Sequence, residues 1–595
     1  MSGSFPDESS NLLTEATDYS SNENLQNIAS IDNKNSTDVT QKTLDEQYHE
    51  FNLSLPKVPI LFSLWMGSFL SALDSTVVAN IMNPVAEEFQ QSELKHWIAT
   101  SYLLTNTAFQ PLYGKLSDIT GRKFALLTAH FFFGLGCFLT CFAQNIYQFA
   151  FARAICGIGG GGINASSSIA VSDICTTRER GIYQGYANIV FGTGQLLGGP
   201  IGGVILGTIG WRAIFALQVP LLAACSYFAI KNINIKLTHV PPRNERFTWA
   251  NLSRIDLGGS ITLVFTISGV LFLTSSDWNK IFLSVFTLIS FTIFMFIELY
   301  VAKERIIPFE LLKGSFGLSS IATVISSFII YGDFFRSPIY LQLVQNMGVT
   351  ITGLYFIPPS ITTALGSLMT GTILRNTKMD LAHCASSLIM LAIALQLFGL
   401  VTAYYLVSHV QPYVPATDTV KIFLSPAAWQ FASGSVWWKI IYIIILCIVS
   451  FGYATLLVAT LVSIVFSIEK SQQGTITGIF YLWRSIGNVL GVSLTLVTYE
   501  KSLSTKLWNY MFKSGKHVSF KFTKKHFDRL IADSSYLRKG PFPIDALSEL
   551  LDVYRDAFLS SYLPNILLGV IGLVITIISY RLHSKKAQSA AAIQV

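Results

Sequence analysis

Charged residues are scarce in this sequence. Asp, Glu, Lys and Arg account for 13% of its 595 residues, whereas a soluble domain has about 25%. The chain therefore has too little polar surface to enclose a soluble fold of this length. Its formal net charge of +7 gathers into no basic patch on a soluble domain, so we expect no nucleic-acid partner.

Cysteines are few, and short catalytic signatures are missing. The seven cysteines lie in or beside apolar segments, a distribution that suggests neither a disulfide framework nor a metal site. Paired catalytic carboxylates, a nucleophile elbow and a phosphate-binding P-loop do not occur. The sequence therefore predicts a protein that is not an enzyme and that needs no cofactor.

Apolar sequence is what the chain has in abundance. Hydrophobic residues make up 51% of it, and they gather in runs of about 20 residues, the length of a helix that crosses a bilayer. We predict an all-α polytopic membrane protein with fourteen spans. The predicted spans are 58–82, 97–117, 123–143, 147–171, 183–207, 213–231, 257–276, 280–300, 316–341, 350–374, 382–408, 440–466, 474–498 and 559–580.

The basic residues of the short loops predict the orientation. One alternate set of loops holds most of the Lys and Arg residues, among them Arg122, Lys123 and Arg178, and basic loops stay in the cytosol. Both termini are then cytosolic. The segment 499–558 falls on the opposite side in spite of its lysines, because loops of that length cross regardless of charge.

The two halves of the chain contain related segments. Residues 180–185 align with 473–478, and at the same offset 194–198 align with 487–491. Each pair combines a polar helix start with a ladder of small residues. Duplicated halves are frequent in transporters, although glycine-rich helices also produce such short alignments by chance.

The most specific motif lies between the second and third predicted spans. It contains Gly114, Asp118, Gly121, Arg122 and Lys123. Gly114 lets a neighbouring helix approach and Gly121 permits a tight turn, while Asp118 is spaced to pair with Arg122 or to receive a helix N-terminus. Such a charge cluster stabilises one conformation and releases another, so we predict a conformational gate here rather than an ordinary basic loop.

Charged residues inside the predicted spans are candidates for the solute or proton site. Asp74 lies among apolar residues of the first span, a setting that suits proton exchange or pairing with a cationic solute; the alternative is a carboxylate that only stabilises the bundle. Arg153 in the fourth span costs about 2.5–3.5 kcal/mol at the bilayer centre unless it faces a cavity or a partner.

Two further spans carry polar residues for which a structural role and a site role both remain open. Asp333 and Arg336 lie one turn apart in the ninth span and form either an ion pair or part of a site. Arg484 in the thirteenth span either faces the cavity or is paired structurally, and Asn488 is a candidate lining residue.

Several motifs together resemble those of a known family. The gate motif resembles motif A of the major facilitator superfamily, and Arg153 with the glycines after it resembles motif B. Leu73-Asp74-Ser75-Thr76 is similar to a motif of the fourteen-span drug:proton antiporter branch. The fifth span is similar to the antiporter motif of this superfamily through Gly194, Gly198, Gly199, Pro200, Gly202 and Gly203.

The resemblance implies a domain organisation. It predicts the major facilitator fold, with two six-helix bundles and two inserted helices. The expected parts are a disordered cytosolic tail at 1–56, the N-terminal bundle at 57–231, a cytosolic loop at 232–256, the inserted helices at 257–300, five helices of the C-terminal bundle at 301–498, a lumenal loop at 499–558, the last span at 559–580 and a cytosolic tail at 581–595.

Longer segments narrow the resemblance. Residues 60–65, 97–113, 169–173 and 480–491 are similar to the fungal vacuolar basic amino-acid transporter group. This similarity implies antiport of lysine, histidine and arginine against protons, from cytosol to vacuole, with the proton gradient as energy source. A drug or cationic-compound exporter of the plasma membrane and a non-transporting nutrient sensor are the alternatives.

The N-terminal tail carries a candidate sorting signal. Glu8, Leu12 and Leu13 fit the acidic dileucine pattern, which a sorting adaptor binds through one charge and two apolar anchors. Acidic tails also produce this pattern by chance. The expected partners are therefore a small cationic solute, protons, the lipid bilayer and, if the signal is used, an adaptor.

Overall fold

In the computed structural model, the chain folds into a bundle of long helices typical of a membrane protein. The residues that the structure describes are 44, 46–91, 97–238, 240–242, 244–252, 254, 256–275, 279–302, 305, 315–378, 380–414, 434–466, 473–513, 520, 522–532 and 536–593.

Long helices account for most of the described residues, and each predicted span overlaps one of them. They are α1 (Lys57–Glu88), α2 (Trp97–Thr120), α3 (Arg122–Cys141), α4 (Ile146–Ile174), α5 (Thr177–Thr208), α6 (Trp211–Asn232), α7 (Leu257–Ser275), α8 (Lys280–Phe296), α9 (Ser315–Leu343), α10 (Ile357–Asn376), α11 (Leu381–His409), α12 (Val436–Phe466), α13 (Gln473–Trp508) and α14 (Ile544–Ile593).

Local signals explain where several helices begin. The Asn145 side chain accepts a hydrogen bond from the backbone of Gln148 and caps α4. Thr176 and Glu179 form a reciprocal capping box at the start of α5. Gly121 precedes α3 with φ of 90°, a left-handed conformation that favours glycine. The side chains of Asn145 and Thr176 thus satisfy amide groups that a helix start leaves without partners.

Ten helices in the described part of the chain are long and apolar enough to cross a membrane: α1, α3, α4, α6, α8, α9, α11, α12, α13 and α14. The helices α2, α5 and α10 are less apolar, and each packs against a helix of the other half of the chain. A helix face that meets protein does not need lipid-compatible side chains, which explains the lower hydropathy of these three.

The helices form two bundles, α1–α6 and α9–α14. The bundles meet where α5 packs on α10 and where α2 packs on α13. The pair α7 and α8 lies beside this junction, since α7 contacts both α2 and α13. Leu263 and Ile267 of α7 share an apolar cluster there with Ala108 and Leu482.

The glycines that the internal repeat aligns occupy equivalent helix contacts in the two bundles. A Cβ atom at Gly198 of α5 would lie 2.6 Å from the carbonyl oxygen of Leu73 on α1. A Cβ atom at Gly491 of α13 would lie 2.3 Å from the carbonyl oxygen of Phe328 on α9. The aligned glycines thus make the same close helix contact in each half.

The segment 499–558, which the sequence predicted to be a loop, is largely helical in its described part. The helix α13 continues to Trp508 and a π-helical turn follows at Asn509–Lys513, while α14 begins at Ile544. Shorter helices lie at Lys524–Ala532 and Tyr536–Lys539. The physical reason is that this segment has its own apolar residues, which pack on one another: Leu503, Leu507, Leu530, Leu550 and Tyr554 are buried.

The end of the N-terminal tail also differs from the disorder expected over 1–56, because residues 46–54 are helical. The Asn52 side chain donates to the carbonyl oxygen of Lys236 at 2.7 Å and accepts from its backbone N–H at 3.0 Å. The Phe51 ring also lies 4.4 Å from the Lys236 ammonium group. The candidate sorting residues Glu8, Leu12 and Leu13 lie outside the described residues.

Candidate functional site

A charge cluster joins the two bundles at one end of the molecule. The Asp118 carboxylate of α2 accepts hydrogen bonds from the backbone N–H of Thr475 at 3.0 Å and from its hydroxyl at 3.1 Å. Thr475 lies in the first turn of α13, where free amides and the helix dipole attract an anion. Asp118 therefore acts across the junction, as an acceptor for the N-terminus of a helix in the other bundle.

The Arg122 guanidinium completes this cluster, which we call the gate cluster: Asp118, Arg122, Asp173 and Thr475. Its Nη1 atom lies 2.6 Å from Asp118 Oδ1, and its Nε atom lies 2.6 Å from Asp173 Oδ2. The Arg122 side chain is only 1% exposed. Two carboxylates thus neutralise one buried cation, and one of them also holds α13.

The other motif residues are placed differently. Lys123 donates to the Ile230 carbonyl oxygen at 2.7 Å and to Asn234 Oδ1 at 2.8 Å, so it attaches the end of α6 rather than joining the gate cluster. Gly114 is buried within α2, and Gly121 lies in the turn before α3.

The helices α5 and α10 close the same end of the junction. A Cβ atom at Gly371 would lie 2.4 Å from the backbone of Gly181, and the Asn188 amide donates to the Ser367 hydroxyl at 2.8 Å. Toward the other end of α5, no described atom lies within 4 Å of a Cβ atom built on Gly203 or Gly207. The bundles are therefore in contact at the gate-cluster end of α5, whereas Gly203 and Gly207 toward its other end face open space.

Asp74 lies inside the N-terminal bundle. Its carboxylate is fully buried, 2.8 Å from Arg153 Nη1, and accepts from the Gln218 amide of α6 at 3.3 Å. The Tyr102 ring lies 4.5 Å from the Arg153 guanidinium carbon. The structure thus joins two sequence-predicted site residues in one ion pair, at a place enclosed by α1, α2, α4 and α6.

The C-terminal bundle contains a second buried ion pair. Arg336 and Asp333, both in α9, are hydrogen-bonded to each other. Arg336 also donates to the Ser561 carbonyl oxygen of α14 at 3.1 Å, and its guanidinium carbon lies 3.3 Å from the centre of the Tyr562 ring. Each bundle thus contains, in its interior, a pair formed by one carboxylate and one arginine.

Arg484 is the charged candidate at the junction of the bundles. Its Nε atom donates to the Tyr453 hydroxyl at 2.9 Å, and its guanidinium carbon lies 5.9 Å from the ring centres of Phe191, Tyr453 and Tyr481. Its neighbour Ser485 donates to Gln110 of α2 at 3.0 Å. Arg484 therefore faces the N-terminal bundle.

Asn488 lies one turn further along α13. It is half-buried, and its side-chain oxygen is buried without a hydrogen-bond partner in the described chain. The antiporter-motif glycines place α5 on α1: Gly194, Gly198 and Gly202 face α1 closely, whereas Gly203 faces open space. Gly199 and Pro200 are within the same helix.

Residues 64–492 match the sequence model of the family described as the Major Facilitator Superfamily. The chain belongs to the major facilitator superfamily. The human organic anion transporter MFSD10 has a similar fold, with a TM-score of 0.54 at 13% identity over 88% of this chain and 99% of that one. The pairing of α2 with α13 and of α5 with α10 is thus the contact between two superfamily bundles.

Two curated relatives from yeasts are also similar to this superfamily chain. The "Vacuolar basic amino acid transporter 1" of Saccharomyces cerevisiae is 64% identical over 548 residues, which are 92% of this chain and 96% of the relative. The "Multidrug resistance protein fnx1" of Schizosaccharomyces pombe is 34% identical over 76% of this chain and 81% of the relative.

Sequence reasoning missed four neutral residues of these sites: Thr475, Gln218, Tyr453 and Tyr562. Each contacts a charged candidate that the sequence did identify. Their residue types are common in apolar helices, so composition and spacing carried no signal. For Thr475 a signal existed, because it lies at the polar start of α13 that the internal repeat had identified.

Proposed function

We propose that this superfamily member is a proton-coupled antiporter that moves lysine, histidine and arginine from the cytosol into the vacuole. The observation that carries this proposal is the 64% identity, over 92% of the chain, to a relative named as a vacuolar basic amino acid transporter. The proposed location is the vacuolar membrane, which the chain crosses many times.

The proposed topology has fourteen crossing helices, α1–α14, as in the fourteen-span drug:proton antiporter branch. Both termini face the cytosol, because the loops that contain Arg122, Lys231 and Arg375 are basic. The gate cluster then lies on the cytosolic side. In this arrangement the bundles are closed toward the cytosol, and the segment 499–558 faces the vacuolar lumen.

The proposed cycle alternates which end of the junction is closed. Opening toward the cytosol separates Asp118 from Thr475 and Gly181 from Gly371. A carboxylate at a helix N-terminus contributes about 0.3–2 kcal/mol, so this closure is weak enough to open and reform. Substrate binding between the bundles shifts the balance by its different affinity for the two states.

Asp74 is the proposed proton carrier, with Asp333 as a second candidate. Protonation of Asp74 removes the negative charge that pairs with Arg153. The Arg153 guanidinium then binds another partner, and this exchange changes the packing of α1, α4 and α6. A buried carboxylate that can exchange a cationic partner for a proton is the arrangement that antiport requires. Protons leave the lumen as basic amino acids enter it.

The test is lysine uptake by ATP-energised vacuolar vesicles that contain the full chain. Uptake is expected to stop when an ionophore collapses the proton gradient and to fall strongly in Asp74→Asn. Gradient-free lysine exchange should remain in Asp74→Asn, which separates lost coupling from lost folding. The control Asp528→Asn changes an exposed carboxylate and should transport normally. Uptake that persists without a gradient would refute the proton coupling.

A second candidate function is export of drugs or cationic compounds at the plasma membrane. The observation that favours it is the 34% identity to a relative named as a multidrug resistance protein. The position of a fluorescently tagged chain separates the two functions. Plasma-membrane fluorescence, with dye sensitivity in a deletion strain, supports export; fluorescence of the vacuolar membrane supports the first proposal.

A further inference from the structure

Arg484 occupies a central place between the two bundles. In the alignment of the internal repeat, Arg484 of α13 corresponds to Phe191 of α5. The guanidinium carbon lies 5.9 Å from the centre of the Phe191 ring. Two positions that correspond in the two halves and also face each other lie beside the pseudo-two-fold axis. Transporters bind their substrates at this repeat interface.

The charge of Arg484 is not neutralised within the described chain. Arg122, Arg153 and Arg336 each have a carboxylate within ion-pair distance, and the charge of the buried Arg180 interacts with the Asp173 carboxylate. Among the described residues no carboxylate forms an ion pair with Arg484, whose single hydrogen-bond partner there is Tyr453. A charge inside a helix bundle is costly without a counter-ion, so its presence indicates an anionic group that arrives with a ligand.

The surroundings of Arg484 suit a carboxylate with an attached cation. The Tyr453 hydroxyl accepts from Nε and thereby orients the planar guanidinium, whose Nη groups can bind a carboxylate in a bidentate manner. Arg484 is half-buried rather than sealed. The rings of Tyr453 and Tyr481 offer faces that attract an ammonium or guanidinium side chain.

We propose that Arg484 binds the α-carboxylate of the transported amino acid and so makes the transporter select amino acids over the corresponding amines. This inference rests on the proposed function, because it takes a basic amino acid as the substrate. Asp74 and Asp333 lie inside their bundles, each paired with an arginine. At the axis, the positively charged Arg484 therefore binds the carboxylate end of the substrate.

The experiment is competition against radiolabelled lysine in gradient-free exchange by proteoliposomes with the full chain. The competitors are lysine, lysine methyl ester and cadaverine, which share the cationic side chain but differ at the carboxylate. In the wild type, lysine should compete about 10- to 100-fold better than the ester, the range expected for a charge-assisted hydrogen-bond pair. In Arg484→Gln this ratio should fall toward one.

Further variants separate carboxylate binding from a structural role. Arg484→Lys keeps the charge without the planar fork and should give an intermediate ratio. Lys501→Gln removes an exposed charge from the same helix and should leave the ratio unchanged. Protection of the purified wild type against thermal unfolding, by lysine but not by its methyl ester, tests the same point even if Arg484→Gln is inactive.

The outcomes distinguish this inference from the proposed function. Lysine exchange in which the methyl ester or cadaverine competes as well as lysine would overturn carboxylate recognition and leave the transport proposal intact. An unchanged ratio in Arg484→Gln would overturn the assignment to Arg484. A wild type that does not exchange lysine at all would overturn the proposed function, and this inference with it.

Discussion

At the scale of single residues, the buried ion pairs of the described chain lie within one bundle, and Asp118 is the member that also contacts the other bundle. Spacing alone predicted that Asp118 would pair with Arg122 or receive a helix N-terminus, and the structure contains both contacts. The contribution of Asp173 was not predicted, because it is distant in sequence, and the only sequence signal for Thr475 was its place at the polar start of α13. One side chain thus links a local ion pair to the contact between bundles.

Loss of the Asp118 charge should loosen the junction at this end. Asp118→Asn keeps an acceptor for Thr475 but removes the charge, which should weaken closure by about 0.5–2 kcal/mol. Hydrogen–deuterium exchange of the first turns of α13 should then be roughly 2- to 30-fold faster.

The matched control for this prediction is Asp173→Asn. It removes a carboxylate from the same Arg122 but leaves the Asp118–Thr475 contact, so exchange in α13 should change less than in Asp118→Asn. Equal acceleration in the two variants would show that the charge balance of the cluster, and not the bond across the junction, determines closure.

Glu88 makes a pH-dependent contribution to the stability of the folded protein. It lies near the other end of the N-terminal bundle, beyond the apolar part of α1 at Lys57–Val78. The Trp211 indole donates to it at 2.6 Å and Arg212 at 2.7 Å, and these hydrogen bonds lower the pKa of the Glu88 carboxyl. A lowered pKa gives stability that is present above the ordinary pKa of glutamate and is lost as the pH falls through the folded-state pKa.

The corresponding prediction concerns Glu88→Gln. Above about pH 4.5 the wild type should be more heat-stable than the variant, and the difference should shrink as the pH is lowered further. Because both partners of the Arg212 pair are 45% exposed, the effect should stay below about 1 kcal/mol. Thermal unfolding in detergent over a pH series measures it; a difference that grows on acidification contradicts the argument.

At the scale of helices and connecting segments, the structure differs most from the sequence-based expectation in 499–558. The apolar runs of the sequence identified the helices α13 and α14. They did not predict how far these two helices extend. The extension depends on packing between Leu503, Leu550 and Tyr554, in one apolar cluster. Arg538 then attaches the segment to the bundle by donating to the carbonyl oxygens of Leu343, Val344 and Tyr413.

Removal of this attachment should release the segment without unfolding the bundles. Arg538→Ala leaves three backbone acceptors without their donor, at a cost of roughly 1–3 kcal/mol. Limited proteolysis within 514–543 should become faster, while α9 and α11 stay resistant. Arg538→Lys should also be impaired, since one ammonium cannot replace a planar fork. Lys525→Ala alters an exposed residue and should behave as the wild type; if it does not, the attachment is not specific to Arg538.

At the scale of the whole molecule, two bundles meet through α2–α13 and α5–α10 and are closed at the end that bears the gate cluster. The bundles, the repeat and the family were predictable, because span length, glycine spacing and motif residues are properties of neighbouring positions. Which end is closed was not predictable. That choice depends on contacts such as Gly181 with Gly371, between residues far apart in the chain.

A reversible cross-link between the bundles tests alternating closure. Asn188 and Ser367 are hydrogen-bonded side chains of α5 and α10, so cysteines in both places should form a disulfide on oxidation. We expect oxidation of Asn188→Cys/Ser367→Cys to stop lysine transport and a reductant to restore it. Each single variant should be insensitive to the oxidant. Undiminished transport by the cross-linked double variant would mean that these helices need not separate during the cycle.

The amino-acid sequence by itself determined the helical membrane class, the approximate place of each helix and the identity of the charged residues, since hydropathy, spacing and residue type are encoded along the chain. Only the tertiary structure decided how those charges are distributed. It paired Asp74 with Arg153 and Asp333 with Arg336 inside the bundles, and among the described residues it gave Arg484 at the axis no carboxylate partner. The physical reason is that electrostatic free energy depends on distance and burial, which are set when distant helices pack together.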